Sequence, residues 1–372
     1  MTLRLEKVSK RVGAEIHLHD IDLALEPGHL YVLFGLTLAG KTSLMRLMAG
    51  LDRLSSGRVL VDGEDVSGRS VRQRSVAMVY QQFINYPAFT VFNNIASPLK
   101  LRGLPKAEIA SRVRGVAEML HIDELLDRLP AELSGGQQQR VAIARALVKQ
   151  ADLLLLDEPL VNLDYKLREE LRLELQSIFR EGQAIVVYAT TEPLEALLLG
   201  GRIIVLDQGR VLQTGPTLEV FHNPATVRVS QVFSDPPLNL IDGVVEDGRF
   251  RLGPDLQGPL EGHLKILAPG RYRFGVRANH LSLAREEPDD LELAVKVTLA
   301  EVSGSETFIH VEHNQNTWIV QQDGVHSFHI GQPIAVYLKP RRLFVFDGAD
   351  QLVAAPTLAG RSMVGKETDG AD

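Results

Sequence analysis

The sequence predicts two domains of different class, an α/β domain built on a parallel sheet and a small all-β domain after it. Three observations predict this. Four apolar runs mark strands: HLYVLF (29–34), and ADLLLLD (151–157), AIVVYAT (184–190) and RIIVLD (202–207), the last three unbroken and ending in polar residues. Strands buried on both faces of a parallel sheet read this way, and helical patterns lie between them. A glycine-rich loop, GLTLAGKTS (35–43), follows the first run directly. At SDPPLNLIDG (234–243) turn chemistry intervenes, and beyond it only short strands separated by turns remain.

The whole chain sets bounds. Its 372 residues are too many for one ordinary core. Apolar residues at 45% and charged residues at 23% are a soluble composition. A net charge of -7 gives no reason to expect a nucleic-acid partner. The absence of cysteine suits a reducing cytosol. MTLRLEKVSK, charged throughout, does not read as a signal peptide, and no apolar run nears the ~20 residues that span a bilayer. Any membrane role is expected to come through a partner.

The elements follow in order. HLYVLF is a strand, and the glycine loop after it should open a helix. The stretch from about 88 to 149 has helical patterns and no strand-like run, so it reads as a helical insert in the α/β core. Within it, AEIASRVRGVAEML (107–120) puts Ile109, Val113, Val116 and Leu120 on one stripe. LREELRLELQSIF (167–179) does the same with Leu167, Leu171, Leu175 and Ile178. The first domain is expected over 1–235. The second, over 236–356, contains YRFGV, LAVKV, TFIHV, TWIVQQ, IAVYL and LFVFD, which suit a small barrel or sandwich. The tail, 357–372, is small and polar and is expected to be disordered.

Three motifs carry chemistry. The loop Gly35, Leu36, Thr37, Leu38, Ala39, Gly40, Lys41, Thr42, Ser43 has the frame G-x-x-x-x-G-K-T. Between a strand and a helix, such a loop aims backbone N–H groups and the helix's positive end at phosphates. Lys41 would reach the β- and γ-phosphates, Thr42 would place its hydroxyl on Mg²⁺, and Ser43 would support the α-phosphate. In LLLLDEP (153–159) a buried strand ends in Asp157, placed to hold the Mg²⁺ shell. Glu158 follows, where it can orient or deprotonate an attacking water. In LSGGQQQR (133–140), Ser134, Gly135, Gly136 and Gln137 open a helical stretch and make a second anion site. Each motif alone could be a capped turn or a solvated strand end. Strand, loop and helix in that order, with the other two motifs downstream, leave little room for chance.

Together these motifs resemble the ATP-binding subunits of ABC transporters over about residues 3–235. The resemblance extends to VYQQFINYP (79–87), with Gln81 as the glutamine of the Q-loop, and to LVNLD (160–164), with Asp164 as the aspartate of the D-loop. It implies an α/β P-loop NTPase, a RecA-like cassette with a helical subdomain, that hydrolyses ATP with Mg²⁺ held by Thr42, Gln81 and Asp157. Two cassettes close head to tail around two ATP molecules, the glycine loop of each facing the LSGGQ of the other. The Q-loop and helical insert would receive a cytoplasmic helix of a membrane subunit. FGVRANHL (274–281), EVSGSETFIHV (301–311) and YLKPRRLFVFD (337–347) resemble the regulatory barrel of carbohydrate-importer ATPases, an all-β domain of the OB/TOBE kind. That resemblance implies import of a sugar, a polyol such as glycerol, or a polyol phosphate. It further implies two membrane permease subunits, a periplasmic solute-binding protein acting indirectly, and a peripheral place on the cytoplasmic face of the inner membrane.

Several positions depart from the family. Leu38 replaces a glycine that lets the backbone approach phosphate, and Leu36 replaces a proline. Val12 stands where an aromatic usually stacks on adenine. Thr191, in YATTEPLEAL (188–197), stands where a histidine usually contacts the γ-phosphate; threonine is shorter and carries no charge. All belong to one nucleotide site. The expectation is a cassette that binds ATP, turns it over poorly, and lends its LSGGQ to a non-identical partner. The alternatives are a regulatory cassette with little hydrolysis of its own and a non-transport ATPase acting on nucleic acid. The latter usually carries a second cassette or basic insertions, and neither is seen. His17 and His19, like His326 and His329, are expected to be surface histidines and Trp318 to be core.

Overall fold

The structure is a computed structural model that describes residues 1–82, 84–161, 163, 165–254, 256–313 and 316–357. The chain divides into two compact units, the first ending at Val220 and the second starting at Phe221.

The first unit runs β1 (Leu3–Val12), β2 (Glu15–Leu25), β3 (Leu30–Phe34), α1 (Lys41–Ala49), β4 (Ser56–Val61), β5 (Glu64–Asp65), β6 (Val76–Val79), α2 (Val91–Leu101), α3 (Lys106–Met119), α4 (Gly135–Leu147), β7 (Leu153–Asp157), α5 (Tyr165–Glu181), β8 (Ile185–Thr190), α6 (Pro193–Leu199), β9 (Arg202–Asp207) and β10 (Arg210–Pro216). The four apolar runs are β3, β7, β8 and β9. They lie in a six-stranded sheet of order β10-β9-β3-β8-β7-β6, parallel except for β10. Every residue of β7 and β8 is buried, because helices or a second sheet cover both faces. That second sheet, β2-β1-β4-β5, is antiparallel, and the apolar runs and motifs did not single it out. Alternation does mark it: Leu3 and Leu5 of β1 and Ile21, Leu23 and Leu25 of β2 enter one core with Leu44, Met45 and Met48 of α1.

The helical insert is α2, α3 and α4. In α3 the buried stripe is Ile109, Val113 and Ala117, continued by Leu120, while Val116 is only half-buried. In α5, Leu171, Leu175 and Phe179 are buried, and the expected Leu167 and Ile178 stand at the stripe's edge. In both helices the buried residues run four apart, so each stripe drifts about 40° per step around a helix of 3.6 residues per turn.

The second unit is all-β: β11 (Asn239–Glu246), β12 (Arg249–Leu252), β13 (Leu256–Pro259), β14 (Gly270–Val276), β15 (Leu281–Ser282), β16 (Leu291–Ser303), β17 (Glu306–His313), β18 (Asn316–Asp323), β19 (Pro333–Leu338), β20 (Phe344–Phe346) and β21 (Leu352–Ala354). They form two antiparallel sheets, β13-β12-β11-β14-β20-β21 and β15-β19-β16-β17-β18, which share one apolar core. Trp318 lies in that core, 1% exposed, as its lone aromatic bulk suggests.

The unit boundary falls earlier than 235. SDPPLNL is a turn inside the second unit, and NLIDG begins β11. Buried Arg277 holds the residues ahead of the turn: its guanidinium lies 3.7 Å from the Phe221 ring centre and donates to the Phe221 carbonyl (2.7 Å) and to the Ser234 hydroxyl. Val227 packs on Phe344 and Phe346. The expected disordered tail lies, apart from Thr357, outside the described residues.

Candidate active site

Parallel strands bring their carboxyl ends to one edge, and that edge assembles the site. Phe34 of β3 pairs with Thr190 of β8, and Asp157 of β7 pairs with Ala189. The glycine loop therefore leaves β3 at the same edge as the acidic end of β7, with β8 between them. Gly35 must be glycine: a Cβ there would meet the Leu206 carbonyl oxygen at 2.2 Å. The loop then turns into α1, whose first residue is Lys41.

Lys41 is 5% exposed. Its Nζ donates to the carbonyls of Gly35 (2.9 Å) and Leu36 (3.3 Å) and lies 3.1 Å from Glu158 Oε1. The other Glu158 oxygen accepts from Gln81 Nε2 at 3.1 Å. The Thr42 hydroxyl donates to Asp157 Oδ2 at 2.8 Å. Asp157 is 3% exposed, and burial raises its carboxyl above the usual range, against the Thr42 hydrogen bond that lowers it. Loop, Asp157, Glu158 and Gln81 are thus brought together by side-chain contact.

The loop lines a cleft of about 880 Å³ with Thr37, Leu38, Ala39, Gly40, Lys41, Thr42 and Ser43. This size suits a small organic ligand. Leu38 takes φ 67, the left-handed region a glycine would adopt, and its side chain is 95% exposed. The side chain stands in solvent at the cleft and the backbone keeps the glycine's conformation.

Other residues behave differently. Val12 pairs with Glu15 at the end of the β1–β2 hairpin, is 50% exposed, and is not among the residues lining the cleft. The lining also includes Glu15, Ile16, His17, His19, Gln208 and Arg210. His17 and His19 are therefore half-buried cleft residues rather than the free surface histidines expected. Alternation on β2 puts Glu15, His17 and His19 on one face, and that much was visible in the sequence. What faces them was not, because the join is tertiary: the Gly209 N–H donates to the Ala39 carbonyl (2.9 Å), and the His19 N–H donates to the Gly209 carbonyl (2.8 Å).

Thr191 lines a small recess with Glu158, Val161, Arg168 and Glu195. Glu195 accepts from the Tyr188 hydroxyl (2.8 Å) and from Thr190, and its burial raises its carboxyl. Ser134 caps α4: its hydroxyl accepts from the Gln137 N–H, and the Gln137 side chain accepts from the Ser134 N–H. Ser134 and Gly135 are exposed, while Gly136 is buried against Leu167, where a Cβ would come within 2.3 Å. None of the four signature residues lines the cleft. Asp164 lies outside the described residues.

A glycine loop of the phosphate-binding frame on a parallel sheet, with a buried aspartate at the end of the strand two places along and a helical insert, defines a P-loop ATPase cassette. Comparison with known proteins agrees. Residues 18–161 match the ABC transporter family and residues 274–346 match the TOBE domain. The sn-glycerol-3-phosphate import ATP-binding protein UgpC of Psychromonas ingrahamii is 35% identical over 93% of this chain and 94% of its own length. The uncharacterized ABC transporter ATP-binding protein YurJ of Bacillus subtilis is 34% identical over 93% and 97%. Among solved structures, a dimeric post-hydrolysis state of the ATP-binding cassette MJ0796 bound to ADP and Pi is 29% identical, with a TM-score of 0.53. It covers 58% of this chain and 98% of its own. The chain belongs to the ATP-binding proteins of the ABC transporter family and is an ATPase of that family. Its second unit is a TOBE domain.

Proposed function

We propose that this chain is one of two unlike cassettes that drive an importer for a polyol phosphate, a polyol or a sugar. The observation that carries the paired assembly is the half-built site: the cleft has the phosphate grip but no signature residue, and Ser134 and Gly135 stand exposed outside it. The cargo class rests on relatives named for sn-glycerol-3-phosphate import at 34–36% identity. The partners in this reading are a second, non-identical cassette, two membrane permease subunits and, indirectly, a periplasmic solute-binding protein. No helix among the described residues is long and apolar enough to cross a membrane, which fits a peripheral subunit on the cytoplasmic face of the inner membrane.

The residues suit Mg²⁺. A carboxylate 3% exposed, with one oxygen on a threonine hydroxyl, is a hard-oxygen donor set whose buried charge a cation would offset. Mg²⁺ bound with ATP would neutralise charge on the phosphates. Asp157 and Thr42 would hold it, with Gln81 beside them. Lys41 would bind the β- and γ-phosphates. Glu158 now serves as the anion on Lys41, so incoming phosphate takes its place and leaves its carboxylate free to orient water. The aromatic at 12, the glycine at 38 and the histidine at 191 are all replaced, so this chain's own site turns over slowly while its signature serves the partner.

The test is steady-state ATP hydrolysis by the chain alone, by the assembled pair, and by the triple variant Val12→Tyr, Leu38→Gly, Thr191→His. The pair should outpace the chain alone, and the triple variant should raise turnover at this site. Equal rates in all three samples would refute the asymmetric reading.

A further inference from the structure

The geometry points to His17 as the platform for the base and ribose of the bound nucleotide, in the place left by Val12. This rests on the assignment of the cleft to ATP. The phosphate end of the cleft is fixed by Lys41 and Thr42 and closed by Glu158 and Gln81. A nucleotide whose phosphates lie there must run its ribose and base along the rest of the lining. That wall is strand β2 and the turn 208–210, tied to the glycine loop through Gly209.

Only two side chains in the lining carry a planar ring, His17 and His19. His17 is beside Ile16 and Glu15 at the open, hairpin end. His19 lies two residues further in, about 7 Å along a strand, where its backbone binds the turn. The His17 ring is 38% exposed, enough to offer a face, and its Nε2 lies 3.9 Å from Glu15 Oε2. Ile16, 42% exposed in the same wall, gives an apolar neighbour to a base. Arg210 and Gln208 supply polar groups in the same lining. An imidazole stacks on any purine, as aromatic side chains do on bases generally. The chain thus has a ring for the base, supplied by a residue five positions on from the one that the family resemblance indicates.

The experiment is displacement of a fluorescent ATP analogue from the full-length chain by ATP and by inorganic triphosphate, which has neither base nor ribose. His17→Ala should weaken ATP about ten-fold, the loss expected of one stacking contact. It should leave triphosphate unchanged, and His17→Phe should retain ATP binding. ATP binding unaltered in His17→Ala, or ATP and triphosphate weakened alike, would overturn the platform role. Lys41→Ala separates the two readings. It should lose both ligands, and if it keeps both, the cleft is not the nucleotide site and the assignment beneath the platform fails instead.

Discussion

Leu38→Gly should leave the fold as stable as before and tighten the grip on nucleotide. Three terms set the stability change. Leu38 sits at φ 67, and a left-handed backbone disfavours a side chain by about 1–2 kcal/mol, which glycine relieves. Glycine also gives the unfolded chain more freedom, which opposes folding by ~0.5–1 kcal/mol. The third term is burial, and with the side chain 95% exposed it is close to nothing, where a buried leucine would forfeit ~2–5 kcal/mol. The first two nearly cancel, so the midpoint of thermal unfolding should move by no more than about 3 °C. Binding should change more, because the isobutyl group projects from the loop whose N–H groups must meet phosphate. Thermal unfolding with and without ATP reads both effects, since a ligand that binds only the folded chain raises its midpoint. Leu38→Ala is the control: it removes the bulk and keeps the left-handed strain. A loss above ~2 kcal/mol on glycine substitution would mean that Leu38 packs against something. An ATP-induced shift the same in all three proteins would mean that the side chain does not obstruct the loop.

Three further outcomes follow from the same geometry. Asp157→Asn removes a buried charge and keeps an acceptor for Thr42, so the chain without ATP should melt higher at neutral pH while its own slow ATP turnover is lost. Ser134→Ala removes a helix cap worth ~1 kcal/mol; this chain should still bind ATP, but the pair's turnover should fall. His280 is held neutral by burial and by Arg342, Arg277, Lys339 and His222, which push its pKa down from 6.5 to about 4. The folded state therefore binds the proton less readily than the unfolded one. Stability is present above about pH 6.5 and is lost as pH falls toward 4, up to about 3 kcal/mol in all. Urea unfolding of the second unit at pH 7 and 4.5 measures this, and His280→Gln should flatten the dependence.

The strands that carry the site were legible because each is an apolar run, and one of them, β7, ends in Asp157. A strand buried on both faces cannot hide its composition, and Asp157 breaks its run. The insert was legible from helical stripes, though Ala117 is buried where Val116 was expected, because the packing of neighbouring helices rather than the period alone decides which side of the stripe is covered. The second unit's later strands were legible too. β11 was not, since the prolines ahead of it read as a linker, while Arg277 recruits that segment to the β domain from far along the chain. The cleft wall was the least legible feature. Glu15, His17 and His19 alternate plainly, yet two histidines without acidic ligand spacing read as bland surface. Only the turn at Gly209 fixes which face of β2 meets the glycine loop.

The nucleotide-free site also explains why a degenerate loop need not lose its phosphate grip. Lys41 does not wait as an unpaired cation. It holds the Gly35 and Leu36 carbonyls and the Glu158 carboxylate, in a pocket where both charged side chains are at most 15% exposed. A buried pair of this kind is poorly screened, and breaking it without a replacement leaves two desolvated charges. Phosphate is such a replacement for Lys41, and Gln81 can remain on Glu158 as it moves. These contacts involve the Leu36 carbonyl but neither leucine side chain. The departures at 36 and 38 therefore bear on how closely the loop approaches phosphate and leave the charged grip intact. In the proposed reading those at 12 and 191 bear on the base and on the γ-phosphate. Binding and turnover can separate in one chain because different residues carry them.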